Sequence, residues 1–230
     1  MKDLPTERQL GNNQQIILSG KLEFKQVMQK EVLPTTQKSY QQAAQLLGRA
    51  FVDDPVSVAV YRNFSADRRV RALTVDFTAE VKLCVLKGYP LQVNEDGKVI
   101  AAAVIYPPGA YPLPVSDQWM LLIKSILGNG FYDIRGWMQW LKEVDKVHPY
   151  EPHYYLEYLG VEPEHQGKAL GSSIMQYLVS KADEEGVGCY LENANPRNIP
   201  FYQRFGFQVI SEKAIIGIPS WFMWRSPGNS

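Results

Sequence analysis

Val161-Glu162-Pro163-Glu164-His165-Gln166-Gly167-Lys168-Ala169-Leu170-Gly171-Ser172 is the stretch that decides how this 230-residue chain folds. It leaves a strand-like run, Tyr154 to Val161, and enters a helix-like run from about Ala169 to Glu185 that Gly186 closes. A second strand-like run, Gly188 to Glu192, follows, so the order is strand, turn, helix, strand, a βαβ unit. Small residues in the turn let backbone N–H groups approach a ligand with no side chain in the way. Unpaired amides at a helix start, reinforced by the helix dipole, suit a pyrophosphate, and Lys168 can add charge to that seat. Behind it, Leu170, Ile174, Leu178 and Ala182 make the helical face that packs on a sheet.

A tight turn before a packed helix has a purely structural reading as well, so the nucleotide motifs need separate tests. A P-loop ends in Gly-Lys-Ser/Thr, whereas Gly167-Lys168 is followed by Ala169, and the dinucleotide fingerprint G-x-G-x-x-G is absent. Downstream, Asn198-Ile199-Pro200-Phe201-Tyr202-Gln203-Arg204-Phe205-Gly206-Phe207 reads as a short helix from Asn198 to Phe205, stopped by Gly206. Asn198 and Tyr202 are four apart and share a helical face, able to meet the same ligand arm. Two further β-prone stretches follow, Phe207 to Ser211 and Ser220 to Trp224.

Upstream, Ala43, Leu46, Leu47, Ala50 and Phe51 recur at helical spacing before a loop at Asp53-Asp54-Pro55, and a second helix is expected from Ala66 to Leu86. Pro90 to Asn94 and Lys98 to Tyr106 flank Glu95-Asp96-Gly97, a hairpin-turn signal. The stretches Asp117 to Leu127 and Tyr132 to Val147 carry Trp119, Met120, Trp137, Met138 and Trp140 and can form a cover over a pocket or simply core. Met1 to Gly20 is polar and reads as a flexible N-terminal tail, with one domain over residues 21–230.

His165-Gln166-Gly167-Lys168-Ala169-Leu170-Gly171 resembles the acetyl-CoA pyrophosphate loop of the GNAT superfamily of N-acetyltransferases, with the pattern Q/R-x-x-G-x-G/A. Ala169 stands where the first patterned glycine is usual, so the backbone there must adopt a conformation alanine tolerates. Asn198 to Phe207 resembles the N-x-x-x-Y-x-x-x-G-F segment of the same superfamily. The wider run from Glu151 to Phe207 is similar to the branch containing puromycin N-acetyltransferase.

The resemblance implies an α/β (α+β) fold, with a mixed, mostly antiparallel central sheet flanked by helices and splayed central parallel strands. It implies acetyl-CoA as cofactor, held by Gln166, Gly167, Lys168, Ala169, Leu170, Gly171, Ser172, Asn198 and Tyr202, with the pantetheine arm beside Leu159, Gly160 and Val161. Gly160 is compatible with a bulge or with close packing. Tyr202 matches the residue that protonates the departing thiolate; its bland reading is a core tyrosine bonded to a backbone carbonyl. Period-two alternation puts Glu157 on one face with Leu159 and Val161, as general base, substrate-orienting group or salt-bridge partner. Glu192 is read as an acceptor-amine contact or as a partner of Arg197 or of a backbone amide, and Tyr106 and Tyr155 as pocket or core.

Composition narrows the alternatives. Lys plus Arg equals Asp plus Glu at 24 each, which disfavours a nucleic-acid binder. Cys84 and Cys189 lack C-x-x-C spacing, and the longest apolar run, Val99 to Tyr106, is too short for a bilayer, so a cytoplasmic protein without membrane partners is expected. His148, His153 and His165 lack metal-ligand spacing, and no metal is expected. The expected partner is a small-molecule primary amine, with a homodimer possible. A coenzyme-A-ester sensor without turnover, a transferase of longer acyl groups and a non-enzymatic module are the competing readings.

Overall fold

The computed structural model describes residues 30–130 and 134–228; Met1 to Gly20, the expected tail, lies outside them. The chain divides between Glu31 and Val32, and the architecture below is that of the unit beginning at Val32. Its strands are β1 (Val32–Pro34), β2 (Leu91–Glu95), β3 (Lys98–Tyr106), β4 (His153–Val161), β5 (Gly188–Asn193), β6 (Gln208–Ile215) and β7 (Ile218–Arg225). They form one sheet in the order β1-β2-β3-β4-β5-β7-β6, in which β4 and β5 are parallel and every other neighbour is antiparallel. This is the mixed, mostly antiparallel sheet the sequence led us to expect.

The helices are α1 (Tyr40–Ala50), α2 (Pro55–Val60), α3 (Ala66–Lys87), α4 (Val115–Asn129), α5 (Ile134–Asp145), α6 (Leu170–Glu184) and α7 (Ile199–Gln203). Ala43, Leu46 and Leu47 of α1 and Leu73, Phe77 and Cys84 of α3 pack on one sheet face against Tyr106, Tyr155 and Tyr190. Ile174, Met175 and Leu178 of α6 pack on the other face against Leu156, Leu191 and Met223. Two buried apolar layers therefore clamp the sheet, and side chains alternate between them along each strand. No described helix is long and apolar enough to cross a membrane.

Where the alternation fails, the site forms. Val104 pairs with Tyr158 and Ile105 with Leu156, which leaves Glu157 as the extra residue of a β-bulge in β4. Tyr155 and Tyr158 consequently join the α1–α3 layer, while Leu156, Leu159 and Val161 join the α6 layer. The bulge lies at Glu157 and not at Gly160. Gly160 serves close packing: a Cβ there would come within 2.7 Å of Leu47 Cδ2 and 3.1 Å of Ala50 Cβ.

Two elements escaped the sequence reading. β1 is only three residues long and shows no alternation to detect. α2 begins at Pro55 in what reads as a loop; Asp54 Oδ1 caps it by accepting from the Val56 amide at 2.9 Å. The last two β-prone stretches extend into one hairpin, β6 to β7, and the turn predicted at Asp96-Gly97 has positive φ at both residues.

Candidate active site

At the end of β4 a single 3₁₀ turn, Pro163–His165, leads to the corner before α6. Arg49 of α1 grips Glu162 with two hydrogen bonds of 2.8 Å, and His165 Nε2 lies 2.9 Å from Glu95 in the β2–β3 hairpin. These contacts hold both sides of the turn. Gly167 has φ 77° and Ala169 φ 60°, ψ 11°, so alanine occupies the left-handed conformation that glycine adopts without strain. The first backbone bond of α6 runs from Ser173 N to Ala169 O. From Gly167 to Ser172 no backbone N–H has a hydrogen-bond partner among the described residues, and Gly167, Lys168 and Ala169 are exposed. That is the free-amide helix start an anion needs.

Beside the corner the sheet opens. The parallel register of β4 and β5 ends at Leu156 with Leu191, although β4 runs on to Val161 and β5 to Asn193. Leu159, Gly160 and Val161 pair with β3 on one edge and with nothing on the β5 side. Gly171 sits at this gap, since a Cβ there would be 3.6 Å from Val161, 3.9 Å from Leu159 and 3.5 Å from Phe201. A cavity of about 370 Å³ passes beneath, lined on one side by Leu159, Asn198 and Tyr202 and on the other by Asp76 and Glu80 of α3. Trp119, Met138 and Trp140 from α4 and α5 roof it, whereas Met120 packs into the core.

The cavity is acidic and poorly solvated. Burial, and then the charge of Glu192, push the Glu157 carboxyl up to about 8. Glu80 rises well above the carboxylate range through burial, then through Glu157 and Asp76. Asp76 is pushed up to about 6 by burial, against hydrogen bonds from Ser125 at 2.5 Å, Asn129 at 2.9 Å and Tyr61. Glu157 Oε2, Glu80 Oε2 and Glu192 Oε1 are each buried without a hydrogen-bond partner. Among the described residues nothing bonds the Tyr202 hydroxyl, and burial, followed by the charge of Asp54, pushes that phenol up. It stays protonated near neutral pH and can donate.

With this geometry, residues 59–207 match the sequence model of the Acetyltransferase (GNAT) family. The chain belongs to that family. An uncharacterized N-acetyltransferase of Schizosaccharomyces pombe is 28% identical over 182 residues, 74% of this chain and 71% of the relative. A solved histone acetyltransferase HPA2 and related acetyltransferase from Corynebacterium glutamicum superposes with TM-score 0.65 at 20% identity, covering 88% of this chain and 99% of that one. The PaiA N-acetyltransferase of Thermoplasma acidophilum, solved with coenzyme A, superposes with TM-score 0.52 at 11% identity over 85% of this chain and 98% of its own. At these identities the two structures speak for the GNAT fold alone.

Within this GNAT chain, the residues singled out from sequence separate into two groups. Gln166 to Ser172 make the corner, with the Leu170 side chain buried in the α6 layer; Glu157, Leu159, Asn198, Tyr202, Tyr155 and Glu192 line the cavity. Tyr106 does not line it: it is 1% exposed and stacks between Tyr155 and Tyr111 in the core. Glu157 does not share a face with Leu159 and Val161, because its bulge resets the alternation and its strongest neighbours, Glu192 and Glu80, are on the cavity side. Glu192 pairs with no arginine among the described residues; its Oε1 is 3.8 Å from His148 Nδ1. Phe131, Tyr132 and the Trp137 side chain lie outside the described residues.

Sequence reasoning missed Asp76 and Glu80. The signal was present: both interrupt the apolar stripe Leu73, Phe77, Cys84 of α3 at a spacing of four, so they point into the core side of the helix. Cys84 and Cys189 are buried and burial pushes each thiol up to about 12, which denies either a thiolate at neutral pH.

Proposed function

We propose that this protein transfers the acetyl group of acetyl-CoA to a primary amine of a small molecule by direct attack. The observation that carries the reading is one cavity walled by both an unbonded phenol, Tyr202, and a bulged carboxyl, Glu157, opening where β4 and β5 part. The corner fits a diphosphate: six consecutive amides are without partners, and open space surrounds Gly167. The β5-side edge of Leu159 to Val161 offers backbone groups to an amide-bearing arm, and Asn198 stands on the same side. The donor supplies an acetyl thioester.

Within the chain, Glu157 receives a proton from the acceptor ammonium, which frees the nitrogen lone pair for attack on the carbonyl carbon. The C–N bond forms as the C–S bond breaks, and the Tyr202 hydroxyl gives its proton to the departing sulfur. An ammonium that becomes an amide sheds two protons; one restores Tyr202 and the other leaves to water. Neither thiol serves as nucleophile in this scheme. The similarity of Glu151 to Phe207 to the branch containing puromycin N-acetyltransferase supports the same reaction type without naming the acceptor.

The test is the appearance of free thiol when the protein, acetyl-CoA and a panel of primary amines are mixed, repeated with thioesters of increasing acyl length. Amine-dependent thiol release, fastest with acetyl, is expected. Tight binding of the thioester with no release on any amine would replace the transferase with a sensor, and failure to bind any coenzyme A ester would remove both.

A further inference from the structure

The cavity has a charge pattern that the transfer reaction does not require. Six acidic side chains line it, Asp54, Asp76, Glu80, Asp145, Glu157 and Glu192, and no lysine, arginine or histidine among the described residues does. Asp54 is engaged in capping α2, and Asp76 takes hydrogen bonds from Ser125 and Asn129 that tie α3 to α4 and one from Tyr61 at the end of α2. Glu80, Glu157 and Glu192 are different. They come from three separate elements, and each keeps one oxygen shut away from solvent with no donor. The Glu192 side chain is only 8% exposed, with His148 Nδ1 at 3.8 Å as its nearest base. A buried acceptor without a donor is costly, so such groups call for a ligand that donates.

The three form a row. Glu157 and Glu192 follow Leu156 and Leu191, the last paired residues of the adjacent strands β4 and β5, and Glu80 lies one turn along α3 from Phe77, whose ring meets Tyr158, the neighbour of Glu157, edge-on at 4.9 Å, so Glu157 adjoins both others. One ammonium at Glu157 and Glu192 leaves Glu80 Oε2, at the end of the row, without a donor. The same cavity is walled by Phe77, Tyr111, Tyr155 and Tyr158, surfaces that accept methylene groups and whose faces attract cations. A carboxylate or phosphate on the acceptor would meet only repulsion here, which argues against amino acids and phosphorylated amines.

Resting on the transferase reading above, we propose that the acceptor is a linear aliphatic diamine or longer polyamine. Its reacting amine sits between Glu157 and Glu192, and its next ammonium is held by Glu80. Each charge on the ligand then meets a carboxyl with one buried oxygen that has no donor in the protein, and the hydrocarbon spacer lies along the aromatic walls.

Thiol release is measured with α,ω-diamines of about three to eight methylenes and with the n-alkylamines of matched length. The best diamine is expected to exceed its matched monoamine at least ~100-fold in kcat/KM, because a site that loses one partner of a buried polar group discriminates strongly. Glu80→Gln should cut that ratio about tenfold or more, and Glu80→Asp, one methylene shorter, should move the best chain length upward by about one methylene. Calorimetry with 1,4-diaminobutane and no thioester reads the same contact as binding. Equal turnover of monoamines and diamines overturns the proposal and leaves the transferase intact; thioester binding with no amine acetylated overturns the transferase itself. Were the Glu80 variants not to fold, the wild-type ratio alone decides.

Discussion

Replacing Glu157 by Gln tests the most unusual group in the molecule through stability, independently of turnover. In the folded protein the Glu157 carboxyl is raised from 4.5 to about 8 by burial and by Glu192. Below pH ~4.5 folded and unfolded chains both hold the proton, and the group costs nothing. As pH rises toward 8 the unfolded chain ionises while the folded one keeps its proton, so stability falls by about 1.4 kcal/mol per pH unit; above 8 the loss is complete. Over that window the total is on the order of 5 kcal/mol, which for a domain of this size is roughly 10–20 °C in Tm. Gln keeps the shape and does not ionise. It also relieves Glu80, which feels Glu157 as its largest charged neighbour, so both effects flatten the curve. Melting temperatures of wild type and Glu157→Gln, without ligands, should converge near pH 5 and separate in favour of the variant by pH 8.5. Parallel curves across that range would mean the carboxyl is not held in its neutral form, and the reasoning about the acidic cavity would fail with it.

Tyr202→Phe retains the edge-to-face contacts with Phe201 and Phe207, so it should lower kcat by about 10²- to 10⁴-fold while coenzyme A affinity, by calorimetry, stays within a few-fold; unchanged turnover removes the acid role. Ala169→Gly relieves a left-handed alanine worth roughly 1–2 kcal/mol and gives back about 0.5–1 in chain entropy, so urea unfolding should show a gain of about 0.5–1 kcal/mol. A loss instead would show that φ 60° at this corner is not strained. Gly160→Ala drives a methyl to 2.7 Å from Leu47 and should cost about 1–3 kcal/mol; a neutral result would mean that α1 and β4 are not in close contact.

The parts of this fold legible in the sequence were those governed by local chemistry. The α1 and α3 stripes, the Asp96-Gly97 turn and the strand, corner and helix around Gly167 each declare themselves within about ten residues. Tyr202 and Asn198 were legible because a motif fixes their spacing. What was not legible depends on pairing between distant strands. The alternation that placed Glu157 with Leu159 is sound for a regular strand, and only the register of Val104 and Ile105 against Tyr158 and Leu156 reveals the extra residue. Tyr106 reads as pocket from its aromatic ring, yet its neighbours Tyr111 and Tyr155 cover it. Asp76 and Glu80 fall on the apolar stripe of α3, but only the packing of α4 and the sheet around them shows that they wall a cavity.

Burial makes the Glu157 carboxyl both tolerable to fold and suited to the base role proposed for it. Burial and Glu192 push the Glu157 carboxyl up to about 8, so near pH 7 it is mostly neutral in the free protein, and a neutral carboxyl avoids most of the penalty of an enclosed anion. A neutral carboxyl takes no proton from an amine. An arriving ammonium supplies the opposite charge that burial denied, favours the carboxylate, and so drives the Glu157 proton off before chemistry begins. In the proposed reaction the acceptor therefore arms its own base. In rate terms, the acidic limb of kcat/KM, which reports free enzyme, should lie near pH 8, and that of kcat, which reports the loaded enzyme, should lie lower. Removing the charge of Glu192 takes away the second push on Glu157, so Glu192→Gln should shift the kcat/KM limb downward and narrow the gap between the two profiles. Coincident limbs in wild type, unmoved by Glu192→Gln, would mean that some other group limits the rate and that Glu157 only orients the acceptor.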